Sequence, residues 1–417
     1  MSDTAFAKLK RLKINRYRNI QPGTELRFAD GTNVLLGKNG SGKTTLLNLL
    51  AMVVSGNFHP IRREEFALEF DLSYADRPET WSVVIENKKQ EPRSGKRIER
   101  AEARSCYFHI THSGSDQFEV DTTDSALTLK TPNHPDFQHN YSSSQYGPFN
   151  DFGYSFINDL ATLPINPSLN FSNLPQQIHR LDEARDWLRE NIFSEESFLS
   201  TYISSKTITI EDLPKRVAPF DLFQKFISIA AKNKGLVTFT IESSDIPTLQ
   251  NIVAALGYEN GQAVFERQSG SSQSESFGHP HFHFTMRDGT SIRLQDLSFG
   301  EQRLFAYYYY LACSPQVVIA DELTNGMHHE MVRGCIQAIG QRQAFLATQN
   351  PLLLDHLEFA SIDAARESFI LCSKELIDST ERMTFRQMSE DEGREFFGHY
   401  GAEQQHVNEI LRCLGLW

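Results

Sequence analysis

One stretch near the N-terminus, "NVLLGKNGSGKTTLLNLL" (residues 33–50), constrains the fold of this chain more than any other. The apolar run at its start predicts a buried strand, and the apolar residues at its end are spaced for a helix. The glycines between them predict a tight loop, because glycine adopts backbone angles that other residues rarely reach. The sequence therefore predicts a strand–loop–helix unit, with the loop at the helix N-terminus.

The loop fits the pattern G-x-x-x-x-G-K-[ST]. Such a loop points backbone N–H groups at phosphate oxygens, and the helix N-terminus adds a partial positive charge. Lys43 is placed to reach the β- and γ-phosphates, and the Thr44 hydroxyl is a ligand for Mg²⁺. An ordinary glycine turn is the alternative, but both flanks favour a phosphate-binding loop. We predict a site for ATP and Mg²⁺ formed by Gly37, Asn39, Gly40, Ser41, Gly42, Lys43, Thr44 and Thr45.

A second element, "QVVIADE" (residues 316–322), ends in two carboxylates. Its apolar run is typical of a strand buried on both faces. Asp321 then emerges at the carboxyl end of the strand, where an open α/β sheet places its ligands. We predict that Asp321 holds Mg²⁺ through its water shell and that Glu322 is the catalytic base for an attacking water.

A third element, "LSFGEQRLFAYYYYLA" (residues 297–312), begins with Ser298, Gly300 and Glu301 and continues as an aromatic-rich helix. A helix N-terminus offers unpaired N–H groups to an anion. We call residues 298–301 the signature segment. The four consecutive tyrosines are expected to pack inside the protein rather than to stack on bases.

The order of these three elements resembles ABC-type P-loop ATPases, over residues 8–60 and 285–360. Several details resemble the RecF/SMC/OLD branch more than transporter subunits. "LKINRYRNI" is similar to the opening of that branch, with Arg16 or Arg18 at the place of its arginine. "LSFGE" is also nearer to the LSxGE of that branch than to a transporter's LSGGQ.

The stretch "DELTNGMHHEM" resembles compact prokaryotic AAA-family proteins of the kind found in anti-phage defence systems. This likeness makes Asn325 and His328 possible site residues. The resemblance also implies that Ser298, Gly300 and Glu301 complete the nucleotide site of a partner subunit. Two ATP molecules would then join a head-to-tail homodimer or a higher assembly.

Two positions depart from the family pattern. Gln349 stands where the family usually has a switch histidine, and Leu323-Thr324 replaces the usual proline-glutamate. A glutamine can hydrogen-bond a γ-phosphate but carries no charge. We therefore expect slow, Mg²⁺-dependent hydrolysis. Gln145 is either the family's Q-loop glutamine or a plain loop residue.

The predicted fold class is α/β: a P-loop ATPase head with a β-rich N-terminal lobe and an inserted, mostly helical region, without a long coiled coil. The predicted divisions are 1–112, 113–285 and 286–417. Residues 113–175 are rich in turn formers and predict long loops, whereas helical patterns dominate from 176 to 235. After these come a strand at "LVTFTI", a helix at "DIPTLQNIVAALG" and a hairpin at "FHFTMRDGTSIRL".

The remaining features limit the class of protein. The net charge of −12 argues against a chain that coats nucleic acid along its whole surface. Two basic runs, 8–18 and 88–104, are either exposed edges and loops or contacts to a phosphate backbone. Five cysteines without paired spacing, no signal peptide and no long apolar run predict a reduced, cytoplasmic protein. His279, His281 and His283 favour an exposed hairpin edge over a metal site.

The sequence therefore favours an ATP-switched dimer that controls a nucleic-acid-directed process, in defence or repair, without membrane contact. No nuclease pattern is present, so a separate effector such as a nuclease is the expected partner, and nucleic acid is a possible one. The alternative is an ATP-coupling subunit of a membrane transporter. A small-molecule kinase or GTPase is disfavoured, because the [NT]KxD motif is absent and LSxGE would have no role.

Overall fold

The computed structural model describes most of the chain. The described residues are 7–55, 58–61, 64–74, 80–89, 104–113, 118–122, 126–131, 134–140, 197–203, 208–210, 219–232, 237–270, 274–278, 280–313, 317–401 and 406–416. Within this part of the chain, no helix is both long and apolar enough to cross a membrane.

Strands and helices are numbered separately along the chain. The strands are β1 (Ala7–Tyr17), β2 (Thr24–Arg27), β3 (Thr32–Leu36), β4 (Phe66–Tyr74), β5 (Thr80–Lys89), β6 (Arg104–Ser113), β7 (Phe118–Thr122), β8 (Ala126–Thr131), β9 (His134–Asn140), β10 (Ser197–Ile203), β11 (Ile208–Ile210), β12 (Thr238–Glu242), β13 (Asn260–Gly270), β14 (Ser274–Gly278), β15 (His281–Thr285), β16 (Ser291–Arg293), β17 (Val317–Asp321), β18 (Gln343–Ala347), β19 (Phe369–Ile377) and β20 (Thr380–Gln387). The helices are α1 (Lys43–Ser55), α2 (Phe220–Lys232), α3 (Pro247–Leu256), α4 (Phe299–Cys313), α5 (His329–Ile339), α6 (Pro351–Leu354), α7 (Ile362–Ser368), α8 (Glu390–Gly401) and α9 (Val407–Cys413).

The chain divides into two compact units. The first comprises residues 1–174, 341–349 and 357–417, and the second comprises 175–340 and 350–356. The first unit contains an antiparallel sheet in the order β2-β1-β4-β5-β6-β7-β8-β9. Its inner face is apolar by alternation along β1, where Leu12 and Ile14 are fully buried.

A second sheet of the first unit is built around β3. β18 and β19 both pair with β3 in parallel, and β20 returns antiparallel to β19. Val34 to Leu36 and all of β18 are buried, as expected for parallel strands covered on both faces. The leucines of α1 pack into the same core, with Leu46, Leu47, Leu49 and Leu50 fully buried. The carboxyl ends of three parallel strands therefore meet at one edge.

Two buried amide side chains hold backbone segments around this sheet. Gln343 accepts from the N–H of Leu9 and donates to the carbonyls of Leu9 and Ala29, each at 2.8 Å. Asn33 accepts from the N–H of Ala29 at 2.9 Å and donates to the carbonyl of Ala344 at 3.2 Å. Both side chains are fully buried. They supply hydrogen-bond partners to buried backbone groups that are not paired with a neighbouring strand.

The second unit contains a sheet in the order β11-β10-β14-β13-β15-β16, with β12 also pairing with β13. Aromatic side chains dominate its core. Phe226 of α2 lies 4.9 Å, centroid to centroid, from Phe265 of β13, and Phe282 of β15 lies 4.9 Å from Phe305 of α4. The helices of this unit therefore cover its sheet through aromatic contacts.

Several predicted elements are confirmed. β12, α3 and the β15–β16 hairpin lie where the sequence patterns placed them. Among the described residues no long coiled coil is present, since their longest helix, α4, has 15 residues. Tyr307, Tyr309 and Tyr310 are buried in α4, so packing is their role.

Two predictions about the inserted region need correction. Residues 113–175 were expected to form long loops, but β7, β8 and β9 lie there. The turn-forming residues lie between short strands. Their number gives the whole stretch a loop-like composition, which hides the strands. In the described part of 113–285, strands outnumber helices, so this part is not mostly helical. The predicted helix near 176–193 lies outside the described residues.

The Gln343 amide predicts a measurable loss of stability. Gln343→Leu leaves the backbone N–H and carbonyl of Leu9 without this partner, whereas the Ala29 carbonyl still accepts from Asn33 at 3.0 Å. We expect a loss of about 2–6 kcal/mol, because each of the two groups left unpaired costs roughly 1–3 kcal/mol. The measurement is the free energy of unfolding in denaturant. Gln341→Leu, at an exposed side chain two residues away, is the matched control and should change it by less than about 0.5 kcal/mol. Equal losses in the two variants would contradict the assignment.

Candidate functional site

The glycine-rich loop lies at the carboxyl edge of the parallel strands in the first unit. It begins at Gly37, directly after β3, and ends where α1 begins at Lys43. Gly40 and Gly42 have φ angles of 80° and 97°, in the left-handed region that favours glycine. The N–H of Ser41 donates to the carbonyl of Lys38 at 3.2 Å, which closes a turn inside the loop. The predicted strand–loop–helix unit is therefore confirmed.

Strands β19 and β20 form the floor of this loop. A Cβ atom on Gly37 would lie 2.2 Å from the backbone carbonyl oxygen of Cys372, and one on Gly42 would lie 2.3 Å from Sδ of Met383. Burial raises the pKa of the Cys372 thiol to about 12, against the opposing effect of the Lys43 charge. Cys372 is thus a neutral thiol beside the loop. These floor residues have no local sequence signal, because they lie far from the loop along the chain.

The Lys43 ammonium lies inside the loop. Its Nζ donates to the carbonyls of Gly37 at 2.7 Å and Lys38 at 3.2 Å, and the residue is 7% exposed. Ser41 Oγ is buried and has no hydrogen-bond partner among the described residues. An ammonium with a third N–H, an orphan hydroxyl and the N-terminus of a 13-residue helix suit a phosphate group. The loop therefore fits the nucleotide predicted from the sequence.

The other predicted nucleotide-contacting side chains of this unit lie at the same edge. Asn39 and Thr44 are exposed, and Thr45 is half-buried. In the parallel pairing of β18 with β3, Ala347 lies opposite Leu35. Gln349 and Gly37 each follow these paired residues by two positions, so both extend beyond the same end of the sheet. Gln349 is exposed at that end.

In the second unit, the signature segment caps helix α4. The N–H of Glu301 donates to Ser298 Oγ at 3.4 Å, and the N–H of Ser298 donates to Glu301 Oε2 at 2.9 Å. This reciprocal pair is a capping box. Tyr258 Oη donates to Glu301 Oε1 at 2.9 Å. Burial alone would raise the pKa of Glu301, but these hydrogen bonds outweigh it and lower the pKa. Glu301 therefore stabilises the helix N-terminus as a carboxylate.

Residues 321–326 form an acidic turn after β17. Asp321 is the last residue of the strand, and Glu322 follows it with a φ of 52°. The N–H of Asn325 donates to the carbonyl of Glu322 at 3.3 Å. The guanidinium of Arg303, on α4, donates to the same carbonyl. Arg303 was given no role from the sequence, and the only signal for it is its place directly after "LSFGEQ".

The remaining predicted residues have other surroundings. Arg16 pairs with Glu65 at 3.2 Å and Arg18 pairs with Glu64 at 2.7 Å, so both arginines carry carboxylate partners. Exposed His328 immediately precedes α5. Gln145 and His279 lie outside the described residues.

The histidines of β15 do not build a metal centre in the described part of the chain. His281 is exposed and His283 is half-buried. Burial lowers the pKa of His283, and the neighbouring charges of His281 and Arg293 lower it further. The described residues contain no cluster of three or more histidine, cysteine or acidic side chains suited to a metal ion. The predicted hairpin edge needs correction for His283, because β15 pairs with β13 on one side and with β16 on the other, which places this residue within the sheet.

A protein-family model matches most of the chain. The model of the family described as "AAA domain, putative AbiEii toxin, Type IV TA system" matches residues 32–355. The comparison with curated proteins gave no match.

Three solved structures are among those to which this chain is similar. The SMC head domain from Thermotoga maritima is 11% identical, covering 92% of this chain and 99% of that chain, with a TM-score of 0.35. The Smc head domain of Pyrococcus furiosus, bound to the C-terminal domain of ScpA, is 10% identical over 95% and 100%, with a TM-score of 0.37. RecF of the RecFOR pathway is 13% identical over 92% and 99%, with a TM-score of 0.30. Likenesses this weak say nothing about function.

The loop geometry predicts a ranking of two glycine substitutions. Gly40→Ala should cost about 1–2 kcal/mol of folding free energy, from backbone strain alone, since nothing lies within 4 Å of the added Cβ. Gly37→Ala should cost more, because its Cβ collides with a backbone carbonyl of β19 that has no free rotation. Denaturant unfolding of both variants measures the difference. Equal costs would show that the loop does not press on β19.

Proposed function

This chain belongs to that AAA-domain family, and from this premise we propose that it is an ATPase that binds and slowly hydrolyses ATP with Mg²⁺. The observation that carries the proposal is the loop of residues 37–44, with the Lys43 ammonium held inside it. A family of AAA domains implies nucleotide binding, and the fit of this loop to a phosphate supports it independently.

The proposed reaction assigns one task to each side chain. Lys43 binds β- and γ-phosphate oxygens, and Gln349 donates a hydrogen bond to the γ-phosphate. Glu322 takes a proton from water as the water oxygen bonds to the γ-phosphorus. The bond from that phosphorus to the β–γ bridging oxygen breaks, and ADP and inorganic phosphate leave. Thr44 and Asp321 would hold Mg²⁺, which neutralises phosphate charge. Because Gln349 carries no charge, turnover is slow.

We further propose that two copies of the chain associate head to tail around ATP. The signature segment supports this, because it presents the N-terminus of a 15-residue helix with Ser298 exposed. Phe299 beside it is 58% exposed, a large apolar surface for a side chain at a helix N-terminus. A second copy that brings the γ-phosphate of its ATP to Ser298 would cover that surface, whereas Gly300, predicted to share this contact, is buried against the acidic turn.

Mixing two inactive variants tests both ATP hydrolysis and the head-to-tail arrangement. Lys43→Ala removes the phosphate contact, and Ser298→Arg blocks the signature segment, so each variant alone should lose turnover. In a mixed dimer one composite site retains an intact loop and an intact signature segment. The mixture should therefore release phosphate from ATP. An inactive mixture, despite full turnover by the unchanged protein, would contradict action in trans.

We propose that this dimer switches a nucleic-acid-directed process, in defence or repair, through a separate effector such as a nuclease. The family description supports a defence role, since it names a toxin of a toxin–antitoxin system. The effector is taken to be separate because the sequence shows no nuclease pattern.

Affinity purification of the Glu322→Gln protein with ATP and Mg²⁺ tests this assignment. Without the base, the ATP-bound dimer should accumulate together with whatever it controls. Co-purification of a nuclease, or of nucleic acid that added nuclease degrades, is the expected result. The Lys43→Ala protein is the control and should retain neither. Recovery of an integral membrane protein would instead favour an ATP-coupling subunit of a transporter.

A further inference from the structure

The backbone at Glu322 has an uncommon conformation. Its φ of 52° lies in the left-handed region, where a residue with a Cβ is strained. Such strain persists only where the surroundings hold it in place, and it concentrates at functional sites. The direction of the Glu322 carboxylate depends on this angle, because the side chain leaves the backbone at the same Cα. Whatever fixes the peptide after Glu322 therefore aims the proposed base.

Arg303 is a side chain that fixes this peptide. Its guanidinium donates to the carbonyl oxygen of Glu322, and the N–H of Asn325 donates to the same oxygen. Arg303 is only 6% exposed, so this charge is held within the second unit. A hydrogen bond from a buried guanidinium is stronger than one between neutral groups. Release of the Glu322 carbonyl would let the backbone relax from its left-handed angle.

Arg303 also belongs to the same helix N-terminus as the signature segment. Its guanidinium carbon lies 5.5 Å from the centre of the Phe299 ring, one turn earlier on α4. Gly300 approaches the acidic turn so closely that a Cβ would lie 2.4 Å from the carbonyl oxygen of Gly326. A Cβ on Gly326 would in turn lie 2.6 Å from the Phe299 ring. The start of α4 and the acidic turn are therefore packed as one piece.

We propose that Arg303 is a positioning residue that ties the signature segment to the catalytic base by holding Glu322 in its left-handed conformation. This inference rests on the proposed ATPase function. A phosphate that contacts the signature segment would lie at the first turn of α4. Arg303, one turn further along this helix, holds the backbone of Glu322, the proposed base. Arg303 touches neither substrate nor Mg²⁺ in this assignment, and it acts only through Glu322.

Two substitutions at Arg303 separate a hydrogen-bonding role from a packing role. Arg303→Met keeps a long unbranched side chain but removes every donor. It should lower kcat about 10- to 100-fold, because a small misplacement of a catalytic group costs rate of that order. Arg303→Lys keeps a cationic donor and should restore kcat to within about fivefold of the unchanged protein. If the methionine variant does not fold, Arg303→Gln, too short to make the same contact, takes its place.

ATP binding and ATP-dependent dimerisation distinguish the positioning role from a general packing defect, because a packing defect would change both of them as well as kcat. Both are measured in the Glu322→Gln background, where hydrolysis is absent. Adding Arg303→Met there should leave the Kd for ATP and the dimer fraction within about twofold, since neither the hydrogen bonds of Lys43 within the P-loop nor the Ser298–Glu301 cap involves Arg303. Loss of binding or dimerisation in parallel with kcat would overturn the proposal, as would wild-type turnover by Arg303→Met or equal loss by Arg303→Lys.

The outcomes also distinguish this inference from the proposed function. If the unchanged protein does not hydrolyse ATP, or if Glu322→Gln hydrolyses it at the same rate, the proposed function is wrong. If the unchanged protein is active, Glu322→Gln is inactive and Arg303→Met is fully active, only the role of Arg303 is wrong.

Discussion

The parallel alignment of β18, β3 and β19 is the constraint on which the nucleotide loop depends. Parallel strands end at a common edge, so the residues after β3 and β18 extend beyond the sheet together. The register is secured from within by the buried amides of Asn33 and Gln343. A slip of one residue would separate both amides from their backbone partners. The loop keeps its position because such a slip is costly.

The signature segment combines local stability with an exposed surface. A capping box explains Ser298 and Glu301 without any ligand, since each satisfies a backbone N–H of the other. Gly300 needs a different explanation, because its contact with the Gly326 carbonyl leaves no room for a side chain. Phe299 stays exposed between them. The segment is thus capped, closely packed on the acidic turn, and exposed at Ser298 and Phe299.

The sequence predicted those parts of the site that local pattern determines. The loop of residues 37–44, the buried strand before Asp321 and the helix after Ser298 each follow from a run of neighbouring residues. Arg303 could not be predicted, because its partner carbonyl lies 19 residues away and depends on how α4 packs on the acidic turn. The floor of the loop was missed for the same reason, since Cys372 and Met383 follow Gly37 by more than 300 residues. β7 to β9 were missed because turn-forming residues between short strands resemble a continuous loop.

The position of β3 in the middle of its sheet affects the order in which the protein is assembled. Its partners β18 and β19 are more than 300 residues further along the chain. At the usual pace of a ribosome, about 5–20 residues per second, the apolar strand waits roughly 15–60 seconds for its first neighbour. During that interval the N-terminal part carries an unpaired strand with a helix attached, a state that other nascent chains can join. Expression of this chain should therefore depend more on chaperone supply during translation than on the stability of the finished fold.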